Sequence, residues 1–146
     1  MKFILIAAHS SFATLWLGCI LTEALFERAL LPKGQISRLT LAHLHVRVDK
    51  IIEIPAIFGV LFTGLIMFKQ DIQTSPSLYI MLVSGIIAII ANLYCVLLVF
   101  QRRNAAVSAD WSRFEALDHR QHKVGAIVLV GVLIALVSGF VARSVA

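Results

Sequence analysis

Side chains able to ligate a metal or carry a proton gather at three places along the chain. They are Glu23 and Glu27, then His45, Asp49 and Glu53, then Glu115, Asp118, His119 and His122. At about 100° per residue on a helix, His9, Trp16, Glu23 and Glu27 fall within roughly 40° of one another. His45 and Asp49 share a face, Glu53 follows one turn on, and Ala56, Gly59 and Thr63 continue that face. Glu115, Asp118, His119 and His122 span an arc of about 100°. Imidazoles and carboxylates ligate iron, zinc, manganese and copper, and helical bundles build such sites from facing helices. The metal candidates are therefore Glu23, His45, Asp49, Glu53, His119 and His122. Paired histidines also serve as axial haem ligands. A haem b between His45 (or His43) and His119 (or His122) fits the spacing, whereas His43 and His45 point apart on one helix. The same cluster has a reading without any cofactor. Arg28, Arg47, Lys50, Arg120 and Lys123 stand near enough in sequence to neutralise the acids in a structural network.

The elements that hold these residues must be membrane helices. The chain of 146 residues is 60% hydrophobic and 14% charged, with a mean hydropathy of +0.92. Soluble domains carry about 25% charged residues, and a short fold cannot bury so much apolar surface. Four apolar stretches, about 3–31, 51–68, 78–100 and 124–142, have the ~17–25 residues that a span requires. None alternates as a barrel strand does, and backbone groups in lipid must be satisfied within the segment. The expected fold is all-α, an integral membrane four-helix up-down bundle in a single transmembrane domain, 1–146. The first stretch follows Lys2 but is too long for a signal-peptide core, so it reads as a retained helix.

In that topology, Glu23 and Glu27 end the first span, His45 to Glu53 begin the second, and His119 and His122 begin the fourth. All lie at one end of the bundle, and only His9 stands apart near the other. The end bearing the termini carries three basic residues, Lys2, Lys69 and Arg143. The other end carries the remaining ten of the 13. The positive-inside rule then places the cluster in the cytoplasm and both termini outside. The net charge of +5 thus expresses topology, not affinity for nucleic acid.

Leu31-Pro32-Lys33-Gly34 ends the first helix, and Thr74-Ser75-Pro76-Ser77 is a turn. Ile36–Val48 is expected as a helix along or into the second span, and Arg102–His119 as an extension of the third and fourth helices. Trp111 and Tyr79 suit interfacial anchors. Gly131, Ala135 and Gly139, and Gly59 with Thr63, allow close helix approach within the bundle or in a homo-oligomer. Asn92 reads as a helix-bridging amide, and Cys19 and Cys95 as packing thiols outside any CxxC. There is no phosphate loop, nucleophile elbow or HExxH, and no catalytic residue is assigned.

His9, then His45-x-x-x-Asp49-x-x-x-x-x-Pro55-Ala56 leading into Thr63-Gly64, then Val99-Phe100-Gln101-Arg102-Arg103, resembles small bacterial inner-membrane proteins of unknown function related to the copper-resistance D family. The resemblance implies a four-helix inner-membrane bundle, and the outside that holds both termini is then the periplasm. His9 and Pro55-Ala56 are more distantly similar to the haem-binding membrane type of protoporphyrinogen oxidase. That family's Arg-Leu-Phe run after the first span and its Asn-Glu-x-Pro segment before the last have no counterpart here. By this likeness His9 joins His45, His119 and His122 as a cofactor candidate. The expected function is a haem- or metal-binding protein in electron transfer or metal handling. The alternatives are a non-catalytic subunit of a larger membrane complex and a porphyrinogen-oxidising enzyme.

Overall fold

Proline and glycine punctuation divides the chain into long helices with short joints. The computed structural model describes residues 2–70 and 75–144. Helix α1 (Lys2–Leu30) closes in a single 3-10 turn, Leu31–Lys33. Gly34 then takes φ 97°, a backbone region that a Cβ disfavours. Arg38 Nε donates to the freed Leu31 carbonyl at 3.2 Å, capping α1 from the next helix. Helix α2 (Gln35–Val48), one π turn at Asp49–Glu53 and helix α3 (Ile54–Gln70) form a continuous rod. The segment Ile36–Val48 thus leads straight into the second span. Pro55 has no N–H for the Ile51 carbonyl and its ring crowds that carbonyl, which accounts for a widened turn just before it.

Helix α4 (Pro76–Val107) begins with Ser75 Oγ accepting from the Leu78 amide at 3.3 Å. Of the expected turn, Thr74 lies outside the described residues. Helix α4 ends in a left-handed residue, Ala109 at φ 55°, with Asp110 N donating to Ala105 O and Ala109 N to Ala106 O. Asp110 then caps α5 (Trp111–Ser144), its Oδ1 accepting from the Arg113 amide at 3.1 Å. The extension expected over Arg102–His119 is therefore two helices joined by a three-residue corner.

All four rods are long and apolar enough to cross a bilayer, so this is a multi-pass, all-helical membrane protein. The 32 residues of α4 extend about 48 Å, roughly 18 Å more than the hydrocarbon needs. The surplus builds a head at the basic end. There Ala42, Leu98, Ala105, Ala106, Phe114 and Leu117 form a dry core of their own. Trp111 packs half-buried against it, its ring 5.7 Å edge-on from Phe114. Tyr79, at the opposite end, is exposed as an anchor should be. A second core of Trp16, Ala56, Ile57, Ala88, Val128 and Val132 fills the membrane half. There α4 and α5 lie so close that a Cβ on Gly131 would come within 3.0 Å of Ala88 Cβ. Gly59 and Gly139 likewise back onto Phe12 and Met81, so these small residues serve packing inside the bundle.

Candidate functional site

The polar residues lie between the two dry cores. On the α2–α3 rod and on α5 the order is the same. On α2 and α3, Ala42 belongs to the head core, His45, Asp49 and Glu53 to the polar layer, and Ala56 and Ile57 to the membrane core. On α5 the order is Phe114 and Leu117, then Gln121 and His122, then Val128 and Val132. A cavity of about 240 Å³ opens within this layer, lined by residues of α1, the α2–α3 rod, α4 and α5.

One part of the layer is a closed ion-pair network. Arg102 is fully buried. Its Nη1 donates to Glu27 Oε1 at 2.9 Å and also to Asp118 Oδ1, and its Nη2 donates to His45 Nδ1. The guanidinium plane sits 5.6 Å over the Phe114 ring. His122 completes the set, with Nε2 3.0 Å from Glu27 Oε2 and Nδ1 2.8 Å from the Asp118 carbonyl. Both its nitrogens face acceptors, so both donate and the ring is an imidazolium. Glu27 and Asp118 against Arg102 and His122 sum to no net charge.

The other part has no such balance. Glu23, Asp49 and Glu53 each bring one carboxylate oxygen within 4.8 Å of the others. Asp49 and Glu53 are buried, and among the described residues no basic side chain pairs with any of the three. Five groups on the cavity wall keep an unpaired buried atom: Glu23 Oε1, Asp49 Oδ2, His45 Nε2, Asn92 Nδ2 and Gln121 Oε1. Such atoms are rare in native interiors unless water or a ligand meets them.

The structure divides the residues singled out in the sequence. Glu23, His45, Asp49, Glu53 and His122 line one cavity. His119 and His43 are exposed and do not line it. His9 lies apart, its Nδ1 2.9 Å from Thr63 Oγ1 and its ring against Gly64. Neither inward histidine offers a lone pair. A guanidinium only donates, so His45 Nδ1 must accept and Nε2 carries the hydrogen. His122 spends both nitrogens on acceptors. The expected neutralisers are corrected too. Arg28, Arg47, Lys50, Arg120 and Lys123 are all exposed, and Lys50 rests over Phe100 instead. The buried counterion is Arg102. It follows Cys95 by seven residues and Val99 by three, a spacing that places it on the inward face. Gln121 was missed as well, although Phe114, Leu117, Gln121, Val128 and Val132 form one stripe. Asn92 does bridge helices, accepting from Trp16 Nε1 at 3.4 Å. Cys19 and Cys95 are free thiols, and Cys95 lines the cavity.

Fold and site together define a multi-pass membrane protein with a paired-charge layer beside an unpaired acidic cup. Comparison with protein-family models, curated proteins and solved structures gives no match.

Proposed function

We propose that the protein binds a cation in the cup formed by Glu23, Asp49 and Glu53, at the cytoplasmic side of a bacterial inner membrane. One observation carries the reading: three acids, Asp49 and Glu53 buried and Glu23 half-buried, share a cavity with no basic partner among the described residues, beside two acids whose charge is fully matched. Charge at this depth is costly, so an unmatched acid cluster calls for a ligand or for protons. Two oxygens on one calcium-sized ion lie at most about 5 Å apart, which suits the observed spacing. The unpaired acceptors are all oxygens, the donor set of hard cations rather than of copper(I) or haem iron. The cavity of about 240 Å³ is also smaller than the ~300–1,000 Å³ of pockets that enclose sizeable organic ligands. The ten basic residues at this end support the cytoplasmic orientation.

The test is Mn²⁺ titration of the detergent-purified protein, followed by electron paramagnetic resonance, with an optical spectrum after haem addition. One saturable Mn²⁺ per chain is expected. Glu53→Gln should weaken it about tenfold or more, while His9→Ala and His119→Ala leave it intact. A Soret band that disappears in His45→Ala would replace this reading with haem. Absence of Mn²⁺ binding, with infrared bands of protonated carboxyls that shift in Glu53→Gln, would replace the ion with shared protons.

A further inference from the structure

The exposed walls of the cavity come from α1 and α5. Its walls from the α2–α3 rod and α4 are buried at His45, Asp49, Glu53, Asn92, Val96 and Val99 and half-buried at Cys95. Ala24, Ala126 and His122 line the cavity and are also exposed, and a Cβ on Gly125 would meet nothing within 4 Å. Small side chains thus leave a gap between α1 and α5. The gap lies where the apolar run of α5 begins at Val124, which is the level of lipid headgroups.

The cavity holds three unpaired acceptors, Glu23 Oε1, Asp49 Oδ2 and Gln121 Oε1, and two unpaired donors, His45 Nε2 and Asn92 Nδ2. Asp49 and Gln121 are each more than nine-tenths buried, and Gln121 lies outside the acid cluster. Ile20, Ala24, Gly125 and Leu129 form the cavity's apolar walls, with Ile20 and Leu129 toward the membrane core. Exposed basic residues stand toward the head on the same two helices. Arg28 follows Ala24 by one turn on the same face of α1. Lys123 and His119 precede Ala126 by one and two turns on the same face of α5, and all three are exposed.

We propose that the cup takes the primary ammonium of a bilayer aminophospholipid of the phosphatidylethanolamine type, entering sideways between α1 and α5. This rests on the cation reading and names the cation. An ammonium has three N–H donors for the three free acceptors. The lipid's phosphate turns toward the head, to Arg28 and Lys123, and its acyl chains remain in the bilayer.

The test offers the purified protein equal amounts of phosphatidylethanolamine, phosphatidylcholine and phosphatidylglycerol with identical chains, and reads retained lipid by native mass spectrometry. Phosphatidylcholine has the same charges but no N–H, so phosphatidylethanolamine should be retained about tenfold over it. Glu23→Gln should erase that preference. Ala126→Trp, which fills the gap, should lower lipid retention while Mn²⁺ still binds. Equal retention of the two zwitterionic lipids, or preference for phosphatidylglycerol, with Mn²⁺ binding intact, overturns the lipid proposal and leaves the cation reading standing. Soluble phosphoethanolamine binding as tightly as the lipid overturns sideways entry. Loss of both Mn²⁺ and lipid binding removes the cation reading itself.

Discussion

Replacing Arg102 with methionine removes the one lysine or arginine side chain that is buried among the described residues, and keeps much of its length. Glu27 and Asp118 lose their shared partner while only 10% and 17% exposed. Breaking a buried pair from one side costs ~3–5 kcal/mol, because the remaining charge is left without a partner. The lower figure applies here, since His122 still holds Glu27 and Asp118 reaches some water. A loss of about 3 kcal/mol lowers the folded-to-unfolded ratio by roughly 150-fold. Unfolding in mixed micelles by added sodium dodecyl sulfate reads this through two tryptophans. Trp16 sits in the membrane core and Trp111 against the head core. Single-tryptophan variants then show whether the head opens first. Adding Glu27→Gln and Asp118→Asn to Arg102→Met removes the stranded charges and should restore at least half of the loss. A change below about 1 kcal/mol in Arg102→Met alone would refute Arg102 as the buried counterion.

Two further substitutions test the frame that holds the site. Ala109→Gly relieves a left-handed alanine at the α4–α5 corner. It should raise stability by about 0.5–1 kcal/mol in the same unfolding assay, after the cost of glycine's freedom in the unfolded chain. Gly131→Leu must push against Ala88 and the Ser84 carbonyl, 3.0 and 3.2 Å from its Cβ position. It should cost about 1–3 kcal/mol, whereas Gly85→Ala, whose Cβ meets open space, should not.

The fold was legible because lipid imposes a single rule: long apolar runs must satisfy their own backbone. The apolar stretches gave the number of membrane-crossing rods but not their true ends, since α2 and the outer parts of α4 and α5 carry polar residues yet remain helical. What holds them is the head core around Phe114 and Leu117, a set of contacts between distant segments that no local window reveals. At the site, helical spacing correctly brought Glu23, His45, Asp49, Glu53 and His122 to one cavity. It did not separate His119 from His122, because a 100° arc contains both an inward and an outward face. Nor did it distinguish Arg102 from the exposed Arg28 and Arg47. An arginine is ordinarily a surface residue, and only the inward stripe of α4 marks this one as buried. The split between a neutralised and an unneutralised acid group depends on which oxygens Arg102 reaches, and that is a matter of tertiary geometry.

The acidic cup raises the question of why the fold tolerates it. Neutral side chains of similar size are as good or better for stability at buried charged positions, often by ~1–4 kcal/mol. The membrane core and the head core are already dry and well packed on either side. Nothing in the packing therefore requires Glu23, Asp49 and Glu53, and the π turn that carries Asp49 and Glu53 departs from ideal helix at the same place. Local departures of this kind gather where function constrains a chain against stability. The triple variant Glu23→Gln, Asp49→Asn, Glu53→Gln should accordingly be as stable as the ligand-free parent or more stable by about 1–4 kcal/mol, and should no longer bind Mn²⁺. Unfolding in sodium dodecyl sulfate with added chelator measures the first outcome and Mn²⁺ titration the second. A variant less stable than the ligand-free parent would make the three acids part of the bundle's own support, and the cup would then need no ligand to explain it.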